Sequence, residues 1–189
     1  VNIEAVFGSF PAIQTERLNL RQLQTKDAED LYSFWADAKV TRYLDWDGPG
    51  SVEDSGQLIE SWNQAYQERR LLPWGISYRQ QSELLGTITL MPTRGTFEES
   101  RYPLVMGYDL TPKQWNQGIM SEALNGVLDF TRRSLRPYRI QAEVSPENTA
   151  SLKLLKKLGF QQEGVLRSYL MHEVTHKLLD IAVMALLCN

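Results

Sequence analysis

Three strand-like runs in direct succession, at residues 74–79, 84–91 and 102–110, constrain this chain more than any other feature. A short polar turn joins the first two, which suits an antiparallel hairpin and leaves no room for a crossover helix. The strict strand–helix alternation of a doubly wound fold is thereby excluded. Before this block, residues 16–23 alternate polar and apolar as a half-buried strand does. Thr25 stands where an N-cap belongs, and residues 26–37 place Ala28, Leu31, Tyr32 and Trp35 on one helical face. A turn-rich piece at 45–50 leads into a second helix at about 51–69. After the block come a helix at 118–133, a strand at 138–144, a helix at 147–158 and strands at 160–167 and 178–187. The predicted class is α/β of the α+β kind, a mixed and mostly antiparallel sheet flanked by helices. No linker or repeat divides the chain, so 1–189 reads as a single domain with 1–14 as an N-terminal extension.

Charge and cysteine content narrow the function classes. A formal net charge of -3 gives no basic surface for nucleic acid or anionic membrane. The single cysteine, Cys188, allows neither an intrachain disulfide nor a thiolate metal cluster, which suits a reducing compartment. The longest apolar stretch, 178–188, contains Asp180 and is too short to span a bilayer. The first residues lack the basic start of a signal peptide. The expectation is a cytoplasmic enzyme or binding protein.

The strand ending at Leu110 runs through Thr111, Trp115, Asn116 and Gln117 into a helix that opens at Gly118, Ile119, Met120 and Ser121. The first N–H groups of a helix have no internal partner and lie at the positive end of its dipole, so a phosphate is welcome there. Gly118 would let such a group approach the main chain without a Cβ in the way. The same segment also reads as an ordinary loop whose glycine shapes the turn.

A second segment repeats the strand-to-helix pattern. Gln141 to Val144 is followed by Ser145-Pro146-Glu147-Asn148-Thr149-Ala150-Ser151, then by a helix that ends at Gly159-Phe160. With Thr15-Glu16-Arg17-Leu18 near the start and Met106-Gly107-Tyr108-Asp109-Leu110, these motifs stand in the order found in one enzyme family. The chain resembles the GNAT N-acetyltransferase superfamily, and within it the RimJ/RimL-like enzymes that acetylate N-termini of ribosomal proteins. The resemblance implies a splayed pair of parallel strands, here those ending at Leu110 and Val144, with acetyl-coenzyme A as cofactor. Its pantetheine arm would use the main chain of Asp109, Leu110 and Thr111, and its pyrophosphate that of 116–121. The N–H of Asp109 would hold the oxyanion, Asn148 and Ser151 would face the thioester, and Ser151 would help protonate the departing thiolate. Asn148 also reads as a plain helix N-cap, and Ser151 as a first-turn serine bonded to the backbone.

The resemblance also exposes two gaps. The glutamate that serves many relatives as base is here Val105, and the tyrosine that serves as acid is here Leu155. Asp45, Asp47, Glu98 and Glu99 are candidate bases as a group and could make the acceptor mouth acidic. Tyr108 is a weaker candidate. The function implied is transfer of an acetyl group to a primary amine by direct attack, with a protein N-terminal α-amine, such as that of a ribosomal protein, as acceptor. Small amines such as polyamines or antibiotics are an alternative, as is an acyl-coenzyme A-binding module without turnover. Nothing in the sequence chooses between monomer and homodimer.

His172-Glu173-Val174-Thr175-His176 also matches the H-E-x-x-H pattern of zinc peptidases. That chemistry requires a helix to bring both imidazoles to one metal ion, and a third ligand. The only carboxylate side chain after His176 is Asp180, and the segment falls between two expected strands. No metal is expected.

Overall fold

The structure, a computed structural model, describes residues 3–99 and 101–188. Its strands are β1 (Ile13–Gln14), β2 (Leu18–Gln22), β3 (Leu72–Tyr78), β4 (Gly86–Pro92), β5 (Leu104–Leu110), β6 (Arg139–Val144), β7 (Gln161–Met171) and β8 (Leu178–Leu187). Its helices are α1 (Ile3–Phe7), α2 (Ala28–Trp35), α3 (Ala38–Thr41), α4 (Val52–Gln67), α5 (Ile119–Phe130) and α6 (Thr149–Lys157). The strands form one sheet in the order β1-β2-β3-β4-β5-β6-β8-β7. Every neighbouring pair is antiparallel except β5 and β6, which are joined through a right-sized crossover containing α5.

Alternating burial decides what covers each face of this sheet. Leu104, Met106 and Leu110 of β5 are buried in the larger core with Ile119, Ala123, Leu124 and Val127 of α5 and Leu155 of α6. Leu31, Phe34 and Trp35 of α2 and Ile59 of α4 form a smaller core with Leu23 and Leu84. Residues of β5 with odd numbers (Val105, Gly107, Asp109) therefore point away from α5 and α6.

The sheet parts at the parallel β5–β6 pair. The β5–β6 ladder consists of Leu104↔Ile140 and Val105↔Gln141, after which the two strands diverge. The splay implied by the family resemblance is thus present, and it leaves the C-terminal half of β5 without a partner on that side.

Several expectations move by a residue or two, and some need correction. Thr25 is not the helix N-cap. It opens a single 3-10 turn, and Asp27 takes over the local bonds, accepting from the Gln24 N–H at 2.8 Å and from two Arg21 nitrogens at 2.7 and 2.8 Å. Residues 3–14 are built into the fold: Val6 is buried, Phe7 stacks on Tyr66 with Phe10 tilted against the same ring, and Ile13–Gln14 pairs with β2. β7 runs four residues past its expected end at 167, reaching Met171. Its side chains are almost all exposed, so the period-two burial signal that marks a strand was absent.

Candidate active site

Two helix starts face the open half of β5. At the first, Gly118 caps α5 with φ of 75°, a left-handed conformation that suits glycine, and no side chain caps the helix. The free N–H groups of the first turn are therefore available to an anion, and Trp115, Asn116, Gln117 and Gly118 are exposed around them. A Cβ on Gly118 would stand 3.5 Å from Nη2 of Arg17. This arginine was not singled out in the sequence, yet it brings a guanidinium to the cradle. Its Nε donates to Glu122 Oε2 at 2.6 Å and its Nη1 to the Gln117 carbonyl at 3.1 Å. Glu122 also accepts from the Thr15 hydroxyl at 2.5 Å and from the Arg17 N–H at 2.8 Å. Burial pushes the Glu122 carboxyl up, but these bonds outweigh it and hold the group below the usual carboxylate range.

At the second helix start, Asn148 Oδ1 accepts from the Ser151 N–H at 3.1 Å, so Asn148 does act as an N-cap of α6. Ser151 does more than a first-turn serine. Its Oγ lies 2.5 Å from the hydroxyl of Tyr108, which reaches over from β5. Burial raises the Tyr108 phenol to about 12; the bond to Ser151 pulls the other way, and the Asp109 charge adds to the rise. A neutral Tyr108–Ser151 pair can pass a proton toward the gap. Leu155, where relatives place an acid, is fully buried in the core.

The register of β5 corrects the expected role of the Asp109 main chain. The Thr111 N–H donates to the Leu85 carbonyl at 2.8 Å, and the regular β4–β5 ladder makes Thr87↔Asp109 a pair of the same kind. Antiparallel strands alternate, so the N–H of Asp109 is spent on β4 and cannot hold an oxyanion in the gap. Tyr108 and Leu110 turn their main-chain groups toward β6 instead. The Leu110 carbonyl already accepts from Trp115 Nε1 at 2.8 Å, and Thr111 continues the bonding to β4.

The side chain of Asp109 lies on the opposite face from Tyr108, beside α2. Burial raises its carboxyl from the usual 3.8 to about 7, and the Trp35 indole N–H lowers it slightly. That N–H is buried and makes no bond of full hydrogen-bond geometry to a described residue. Trp35 in turn packs edge-on against Trp46 at 5.2 Å and Trp62 at 5.8 Å. Trp46 lies between Asp45 and Asp47, so the turn that carries those two residues is anchored against α2. The Asp45 carbonyl accepts from the Glu173 N–H at 2.7 Å, and Asp47 Oδ1 is 3.5 Å from His172 Nε2. Glu98 and Glu99 are a correction. They precede the closed end of the β5–β6 pair, where Glu98 bonds Arg69 and Glu99 pairs with Arg101 at 3.3 Å. They cannot line the mouth.

The zinc-peptidase reading also fails on geometry. Residues 172–176 form the turn between β7 and β8, and His176 has φ of 57°. Without a helix the two imidazoles share no face. Nδ1 of His172 accepts from the N–H groups of Val174 and Thr175, both at 3.3 Å. No group of three metal-ligating side chains occurs among the described residues. Likewise, among them no helix is long and apolar enough to cross a membrane.

A gap between parallel strands, an uncapped helix start with a left-handed glycine and a cation beside it form a cradle for a phosphate-bearing strand-like molecule. Residues 17–161 match the acetyltransferase (GNAT) domain family, and the chain belongs to it. It is an N-acetyltransferase, and acetyl-coenzyme A is the acyl donor of this family. The chain is 37% identical over 161 residues to the uncharacterized N-acetyltransferase YoaA of Bacillus subtilis, covering 85% of this chain and 89% of that one. It is 27% identical over 169 residues to the [ribosomal protein uS5]-alanine N-acetyltransferase of Escherichia coli, covering 84% and 82%. A GNAT-family acetyltransferase structure from Bacillus anthracis superposes with a TM-score of 0.79 at 25% identity, over 94% of this chain and 98% of that one.

The cofactor fits the residues present. The uncapped N–H groups of 118–121 and Arg17 would receive its phosphates, and the Tyr108 main chain and the Leu110 N–H would pair with its amide arm. Asn148, whose amide nitrogen has no partner among the described residues, and Ser151 flank the far end of the gap.

Proposed function

We propose that this enzyme acetylates α-amines, those of peptide or protein N-termini, in preference to lysine side chains. The observation that carries the reading is Val105, a half-buried aliphatic side chain on the acceptor face at the position where relatives place a strong base. Only a neutral amine can attack a thioester. An α-amine, with a pKa of about 7.7–8.0, is neutral in roughly a tenth of molecules at pH 7. A lysine amine, at about 10.4, is neutral in only about four in ten thousand. By that ratio of neutral fractions alone, a lysine acceptor is handicapped by more than two orders of magnitude. The similarity to the uS5-alanine enzyme supports the same acceptor class. Asp45 and Asp47 beside the mouth favour acceptors with nearby positive charge.

The test pairs two peptides of one sequence. One carries a blocked N-terminus and a free lysine, the other a free N-terminus and a blocked lysine. With acetyl-coenzyme A at neutral pH, thiol release should be at least tenfold faster with the free N-terminus. Faster reaction of the lysine peptide would reject the proposal, and no release with any amine would favour a binding module.

A further inference from the structure

We infer that the Asp109 side chain is the general base of this acetyltransferase, standing in for the glutamate that Val105 displaces; this rests on the amine-acetylation reading above. Three features of β5 lead to it. First, Asp109 lies between Tyr108 and Leu110, the two residues whose main-chain groups line the gap, so its Cβ is rooted on the lip of the gap. Second, alternation sends consecutive side chains to opposite faces. The Tyr108–Ser151 hydroxyl pair lies on the α6 side and the Asp109 carboxylate on the α2 side, so a proton can be taken on one face and given on the other. Third, the carboxylate is not neutralised. No charged side chain acts on it among the described residues, and its neighbour on α2 is the orphan indole N–H of Trp35.

The step balances without another reactant. The neutral amine's lone pair forms the N–C bond, the Asp109 carboxylate takes the one proton that the attacking nitrogen must lose and returns it to solvent, and the C–S electron pair leaves with sulfur. Sulfur then receives its proton from the Ser151–Tyr108 pair, which is refilled from solvent. A carboxyl raised to about 7 is well matched to an α-amine and poorly matched to lysine. The other carboxylates of this region are placed less well. Asp47 faces His172, and the Asp45 main chain is tied to Glu173. Glu143 of β6 shares the acceptor face through the Val105↔Gln141 register, but it stands on the other lip and is exposed to water.

The experiment measures kcat/KM against pH for an N-terminal peptide with wild type, Asp109→Asn, Glu143→Gln and Trp35→Phe. Asp109→Asn should lose about 10²-fold at pH 7, within the range of a general base, and lose the acid-limb inflection near 7. Its affinity for coenzyme A should stay within threefold. Trp35→Phe removes the buried indole N–H that stands beside the carboxyl and favours its charged form, so the acid limb should move to higher pH; this keeps the inference testable should Asp109→Asn misfold. A wild-type profile in Asp109→Asn, an unmoved limb in Trp35→Phe, or loss of the limb in Glu143→Gln would each overturn it. Wild type that turns over no amine would overturn the acetyl-transfer reading itself, which separates the two failures.

Discussion

The hydroxyl of Tyr108 on β5 lies 2.5 Å from Oγ of Ser151 on α6, joining a strand and a helix across the side of the gap opposite Asp109. Leu155 is sealed in the core and offers no acid. If the Tyr108–Ser151 pair delivers the proton to sulfur, both members should matter for turnover and little for binding. Ser151→Ala and Tyr108→Phe should each lower kcat about ten- to a hundredfold, while acetyl-coenzyme A affinity changes less than threefold. The double variant should be little worse than either single one, since both break the same path. Steady-state kinetics with calorimetry on each variant checks this.

Gly118 combines φ of 75° with an exposed, uncapped helix start. Gly118→Ala should cost roughly 1 kcal/mol of stability through backbone strain and weaken coenzyme A only modestly. Gly118→Glu adds negative charge where phosphates would sit, and affinity should fall at least a hundredfold. Calorimetric titration of the folded variants separates the two effects. Equal affinities would remove the phosphate assignment.

Arg17 is shared between Glu122 and the cradle. Arg17→Ala should weaken coenzyme A binding about three- to tenfold and flatten its dependence on salt, because a screened cation is lost. Glu122→Gln should behave differently: it frees the guanidinium, so binding should hold or tighten while thermal stability drops. A binding assay from low to high salt, with thermal melts, checks both.

Asp109 also leaves a signature on stability. The folded chain keeps its proton to about 7, against about 3.9 for an unfolded aspartate. Between these values the folded state binds more protons, so stability falls as pH rises through that window and levels off above it. Asp109→Asn removes the cost of the buried charge. The variant should be more stable than wild type at pH 8, and the difference should vanish near pH 3.5. Melts across that range give the difference directly.

Much of this was legible in the sequence because it rests on local rules. A glycine at a helix start, an Asn three residues before Ser151 and the three consecutive strands each announce themselves within a few residues. Arg17 did not, because its partner Glu122 is 105 positions away and only the fold brings them together. The motif around Asp109 points to its main chain, whereas the β4–β5 register turns that main chain to β4 and leaves its side chain on the α2 side. Deciding between them needs the parity of the β4–β5 ladder, which depends on the register and not on any motif. Trp35 was rightly placed on a buried helical face, but its indole N–H has a polar neighbour that hydrophobic periodicity cannot reveal. Glu98 and Glu99 look close to β5 in sequence, yet they stand at the end where the strands are still joined.

The two residue pairs Leu104↔Ile140 and Val105↔Gln141 are all that bridge the middle of the sheet. In mechanical terms the protein is two plates, one of five strands and one of three, stitched at one end and laced over by helices. A molecule threaded between the plates and bonded to Tyr108 and Leu110 supplies the missing stitches. The donor, held in that way, would be a structural member as well as a reactant, and each turnover would remove and replace a seam of the fold. Amide exchange at β5 and β6 should slow when the cofactor is present and quicken after release, while β2 to β4 stay unchanged.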